Sequence, residues 1–176
     1  MQVEELEELI AGALASLGAV VAEGEEFRDP PLDILTYHQR IARLNFLPVV
    51  GRLHAVVAVV RQPIDLGLGG TAELLGRLSR AVHGRFPVRR GATVGLSTIV
   101  LTPEPIGPAE DAALADVLSK ARRSRVVPLG LFRLNLGQEA MSMALRPAAD
   151  GLSPEPETLA DTLVGRFRRF VPLLEL

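Results

Sequence analysis

Two short stretches of the chain hold the residue types that chemistry needs. The first is "GLGGTA" at 67–72, which spells G-x-G-x-x-A through Gly67, Gly69 and Ala72 and follows the apolar run "AVVAVV" at 55–60. Glycines at this spacing let a backbone approach a pyrophosphate at a helix start. That chemistry wants the first glycine at the tight turn directly after the strand. Here "RQPIDL" intervenes and Pro63 lies in the gap. Arg89 and Arg90 stand where an acidic ribose ligand is wanted. The residues therefore favour a glycine-rich loop whose Thr71 caps the following helix. Gly67, Gly69 and Thr71 remain candidates for binding an anion at that helix start.

The second stretch is "DILTYHQR" at 33–40, which places Asp33, Tyr37, His38 and Arg40 within eight residues. On a strand, His38 and Arg40 point one way and Tyr37 the other. Tyr37 and His38 are the candidate catalytic pair. The competing reading is a half-exposed strand with a polar outer face, and the residues favour it.

Other chemistries find less material. The chain has no cysteine, which excludes disulfides and thiolate sites. A nucleoside-triphosphate loop needs Gly-Lys-Ser/Thr, but the only lysine, Lys120, follows Ser119. His38, His54 and His83 fall on different elements, and none has a partner at metal-ligand spacing. Ser97, in "VGLST", lacks a glycine elbow after it. No metal and no cofactor is expected, and the balance leans away from an enzyme.

Arginine is the last signal. Arg77, Arg80, Arg85, Arg89 and Arg90 occupy one helix end and its following loop. Further groups are Arg122, Arg123 and Arg125, and Arg166, Arg168 and Arg169. Cations at helix C-termini complement the macrodipole, which explains much of this. The first group is also a candidate face for anions or a partner. Nucleic acid is disfavoured, because net charge is −2, pI is about 5.9 and the basic stretch has one aromatic, Phe86. Residues 1–33 carry nine acids and one base, for a charge of −8, while the rest carries +6. Opposite fields of that kind would dock the first helix on its own body or on a sister subunit.

These residues need elements to position them. Leu6, Leu9, Ile10, Ala13, Leu14 and Leu17 form the apolar stripe of a helix over 3–17. Strands are expected at 18–23, 34–46, 52–61 and 93–101, with a turn at "RDPPLD" (28–33). Leu74, Leu75, Leu78, Ala81 and Val82 mark a helix over 71–83. A third helix runs to about 122 from Pro108 at its first position. Gly137-Gln138, between two alternating runs, predicts a two-residue type II′ hairpin with Phe132, Leu134 and Leu136 on one face and Met141, Met143 and Leu145 inward. Ser153 would cap a last helix over 155–170, with Pro154 at its first position and Leu159, Leu163, Val164 and Phe167 inward.

The order α-β-β-β-α-β-α-β-β-α predicts a single α+β domain over 1–176: two layers, a mostly antiparallel sheet of about five to six strands, helices on one face. That order resembles small chaperone-like domains such as the type III secretion chaperones, which are acidic dimers; this chain has one helix more. Hydrophobic residues make up 48% of the chain and aromatics 4%, so aliphatic side chains must build the core, and a surplus of them suits a subunit interface. The acidic start lacks the form of a signal peptide, and no apolar stretch approaches the ~20 residues of a membrane span. The expectation is a cytoplasmic, homodimeric, non-enzymatic protein-interaction or chaperone-like module. The alternatives are an enzyme or small-ligand binder using 33–40 with the 67–71 loop, and anion or nucleic-acid binding through the arginines.

Overall fold

The computed structural model describes residues 1–23, 32–46, 49–62, 67–85, 92–121, 126–146 and 153–169. The helices are α1 (Val3–Ala15), α2 (Gly67–Arg85), α3 (Glu110–Lys120) and α4 (Glu155–Val164). The strands are β1 (Val20–Glu23), β2 (Asp33–Phe46), β3 (Val49–Arg61), β4 (Ala92–Leu101), β5 (Val126–Asn135), β6 (Ala140–Leu145) and β7 (Arg168–Arg169). The class is α+β, as the pattern predicts. Seven strands form one mixed sheet in sequence order.

Pairing is antiparallel for β1–β2, β2–β3 and β5–β6, and parallel for β3–β4, β4–β5 and β6–β7. The three parallel pairs are the ones joined through helices, since a parallel neighbour needs a crossover. Crossovers are right-handed. Strands β3, β4 and β5 run the same way and step the same way, so α2 and α3 fall on one face. The hairpin to β6 reverses the strand direction while the step stays the same. A right-handed crossover from β6 then puts α4 on the other face.

The core divides accordingly, which corrects the expectation of helices on one face only. On one side Leu74, Leu75, Leu78 and Val82 of α2 and Leu114 and Leu118 of α3 pack on Val56, Ala58, Val60, Leu96 and Leu131. On the other, Leu6, Ile10 and Leu14 of α1 and Leu159 and Leu163 of α4 pack on Val57, Val59, Ile99, Phe132 and Leu134. Each fully buried leucine or isoleucine contributes about 1.5–3 kcal/mol. The run "AVVAVV" is apolar throughout because β3 is covered on both faces. The start of α4 comes close enough to β5 that a Cβ at Gly130 would lie 3.3 Å from Pro156 Cβ and 3.0 Å from Phe132.

Local differences have local causes. Helix α2 begins at Gly67, four residues earlier than predicted. Helix α3 begins at Glu110, after Ala109 in a left-handed conformation (φ 66°), so Pro108 is not its first residue. Strands β5 and β6 are joined by four residues, 136–139, instead of a two-residue turn: Asn135 pairs Ala140, and Glu139 takes the left-handed conformation at φ 50°. Asn135 Oδ1 accepts from the Gln138 N–H at 2.9 Å, a side-chain turn that competes with the tight hairpin. The last helix stops at Val164, which is exposed, and Arg168–Arg169 form β7. The turn at 28–31, the loop at 86–91 and helix residues beyond Ala121 lie outside the described residues.

Candidate functional site

The carboxyl ends of the parallel strands β3, β4 and β5 gather a network of buried polar groups, Gln62, Thr71, Thr102, Arg133, Asn135 and Ser142. Arg133, on β5, is buried facing α3. Its Nη1 donates to Glu110 Oε1 at 2.7 Å, and its Nη2 donates to Glu104 Oε2 and, at 3.3 Å, to Thr102 Oγ1. Two carboxylates thus share one guanidinium. Their excess negative charge is met by neutral donors. Ser142 Oγ donates to Glu110 at 2.8 Å, the Gly107 N–H to Glu110 at 3.3 Å and the Gly67 N–H to Glu104 at 2.9 Å. Gln62 extends the network, accepting from Thr71 Oγ1 at 2.7 Å and donating to the Gly67 carbonyl at 3.0 Å. Asn135 donates to the carbonyls of Pro103 and Glu104.

On the α1 side of the same strand ends lies a cavity of about 730 Å³. Its floor and sides include Val3, Leu101, Pro103 and Leu136, and Asp33 and Arg61 stand at its mouth. Arg61 Nη1 lies 3.3 Å from Asp33 Oδ2, and each side chain is about half exposed. A second cavity of about 630 Å³ runs between α2 and α3, where Gly69, Ala72, Gly76 and Ser79 keep the groove open opposite Val117.

The glycine motif resolves against a phosphate cradle. Gly67 and Gly69 lie inside the first turn of α2, and Gly67 has φ +47°. The position that an anion would take at this helix start is occupied by the protein's own Glu104. Thr71 sits one turn into the helix, buried, with its hydroxyl on Gln62 and the Gly67 carbonyl, so it does not cap the helix. Ser153 is likewise not a backbone cap: its hydroxyl donates to Glu155 Oε2 at 2.6 Å, and Pro154 precedes the first helical residue.

Tyr37 and His38 do not converge. Both are 2% exposed, but Tyr37 lies in the core beneath α2 and α3, while His38 faces the other side of the sheet. Burial raises the Tyr37 pKa above its ordinary value and lowers that of His38 below 6.5. His54 is lowered too, by burial and then by the nearby Arg52 charge. His38 shares its face with Thr36 and Arg40, at alternate positions of β2. Arg40 Nε donates to Glu155, which is 2% exposed. Thr36 Oγ1, His38 Nε2 and Arg40 Nη2 are all buried without a hydrogen-bond partner.

Of the arginine group, Arg77 is partly buried and Arg80 exposed on α2, Arg85 ends that helix, and Arg89 and Arg90 lie outside the described residues. Among the described residues, no three histidine or acidic side chains cluster as metal ligands, and no helix is long and apolar enough to cross a membrane.

The sheet has one conspicuously apolar edge. Strand β1 covers only Thr36–Gln39 of the much longer β2. From Arg40 to Phe46, β2 pairs only with β3 among the described residues. Val20, Val21 and Ile41 are exposed at this edge by 64%, 52% and 59%.

The sequence reading passed over Arg133, Glu104, Glu110 and the Arg40–Glu155 pair. A signal existed: Arg133 and Asn135 interrupt an otherwise apolar strand, and three acids sit within "TPEPIGPAED". Helices on both faces of the sheet bury those strand positions as well. Searches against known protein families, curated proteins and solved structures find no match to this chain.

Proposed function

We propose that this protein is a non-enzymatic interaction module that works as a homodimer, joined through the β1–β2 edge, in the manner of a small chaperone-like domain. The observation that carries the reading is that Val20, Val21 and Ile41 are exposed at this edge, beside a stretch of β2 that pairs only with β3 among the described residues. Long apolar edge strands are ordinarily shortened, charged or covered, because their free N–H and C=O groups invite pairing. Exposed aliphatic side chains at such an edge suit a strand from another chain. A second copy related by a two-fold axis would present the same stretch antiparallel to itself, a self-complementary arrangement. The burial of Tyr37 and His38 on opposite faces supports a non-catalytic role.

Light scattering on the purified protein tests this directly. The expected result is a dimer at micromolar concentration that the double substitution Val21→Lys, Ile41→Lys converts to a monomer with an unchanged circular dichroism spectrum. A monomeric wild type, or a dimer indifferent to both lysines, would overturn the reading.

A further inference from the structure

We propose that the cavity at the carboxyl ends of β3, β4 and β5 binds a small zwitterion with an apolar side chain, of which an apolar amino acid is the simplest case. The inference is independent of the dimer. At about 730 Å³ the cavity falls within the roughly 300–1,000 Å³ usual for small-molecule sites. Its apolar side is formed by Val3, Leu101 and Leu136.

The polar groups sort into two kinds. Gln62, Thr102 and Asn135 line the cavity but are buried, and their side chains are engaged in the network around Glu104 and Arg133. They form a fixed wall. Recognition of a ligand's charges therefore falls to Arg61 and Asp33 at the mouth.

These two side chains carry opposite charges 3.3 Å apart. An α-amino acid presents an ammonium and a carboxylate at a comparable separation. Its carboxylate would take the Arg61 guanidinium and its ammonium the Asp33 carboxylate, while its side chain enters the apolar interior. The existing pair must open to admit it. That step costs little, because both groups are half exposed and water already competes for each of them. A ligand with only one charge would leave one of the two side chains without its partner.

The test is a thermal-shift and calorimetric titration with leucine and phenylalanine against leucinamide and N-acetyl-leucine, which each lack one of the two charges. The expected result is a rise in Tm of roughly 5 °C at a hundredfold excess over Kd for the free amino acids. The two blocked compounds should give at most a small fraction of it. Arg61→Gln and Asp33→Asn, both at exposed positions, should each abolish the shift while leaving the unliganded Tm within a degree or two. No shift with any free amino acid overturns the proposal. So does an equal shift with the blocked compounds, or one that survives both substitutions. The oligomeric state, read separately by light scattering, bears on the dimer alone.

Discussion

The two flanks of the sheet are built to different standards. On the β5–β7 flank, Arg133 has both Nη atoms engaged, its two carboxylates each accept further bonds from neutral donors, and the edge closes with a two-residue strand of exposed arginines. On the β1–β2 flank, Arg40 has one carboxylate partner, Thr36, His38 and Arg40 each keep a buried polar atom without a partner, and Val20, Val21 and Ile41 are exposed at the edge. The first flank leaves one buried polar atom without a partner, Arg133 Nε, against three on the second among the described residues. The second combines those three atoms with exposed aliphatic side chains. The contrast supports the proposal of an interaction surface at β1–β2 and assigns Arg133 a role in holding the fold.

The contrast is broken most forcefully at Arg133. Arg133→Met leaves Glu104 and Glu110 facing each other in the interior without their shared cation. Removing one partner from a buried ionic cluster costs about 3–5 kcal/mol, read as a lowered urea midpoint. Adding Glu104→Gln and Glu110→Gln to the same protein should restore part of the loss, because the uncompensated charge is then gone. Arg40→Met strands one carboxylate, Glu155, 2% exposed and keeping the Ser153 hydroxyl; its cost should lie at the low end of the same range, about 3 kcal/mol, because one carboxylate is stranded where Arg133→Met strands two. Equal losses at the two arginines would erase the distinction between the flanks.

A smaller effect separates the flanks by pH. Burial holds His38 neutral in the folded protein, with its pKa below the ordinary 6.5. The unfolded chain therefore takes up the proton first as pH falls. Stability from this group is fully present above pH 6.5 and is lost progressively below it, by at most about 1.4 kcal/mol per pH unit. Equilibrium unfolding at pH 7.5 and 5.5 should show this decline, and His38→Gln should reduce it to what His54, also shifted downward, contributes. An unchanged decline would mean that His38 is not the titrating group.

The elements themselves were largely legible. Alternation revealed the strands, and the spacing of Leu6, Ile10 and Leu14 or of Leu74, Leu75 and Leu78 revealed the helices, because burial on one face leaves a periodic trace. The placement of helices on opposite faces was not legible. It follows from the β5–β6 hairpin reversing strand direction before a right-handed crossover, which is a property of topology. Two-residue β7 is too short to carry alternation. The start of α2 was misplaced because Gly67 and Gly69 favour loops by propensity, while Glu104, thirty-seven residues away, satisfies the helix start with its carboxylate. Tyr37 and His38 point in opposite directions, as strand alternation predicts, but their burial depends on helices that local sequence does not place. The cavity-mouth pair Asp33 and Arg61 became visible only through the register of β2 with β3.

The smallest expected effect comes from the closed edge. Arg169 Nη2 lies 2.6 Å from Asp111 Oδ2, with both side chains roughly a quarter to a third exposed. Asp111 also accepts from the Met143 N–H at 2.8 Å through its other oxygen, so it keeps a partner when the arginine is removed. An ion pair open to solvent on one side is worth about 0–1 kcal/mol. Arg169→Ala should accordingly lower stability by less than about 1 kcal/mol and leave the oligomeric state untouched. The second half of that expectation is the sharper. Among the described residues β7 pairs only with Ala140 and Met141 and places two cations at the rim, so a second copy meeting itself there would bring like charges together. If Arg169→Ala, by removing one of those charges, instead raised the fraction of dimer, the arginines would be guarding an edge that can pair. The difference between the flanks would then rest on charge alone rather than on how completely each is built.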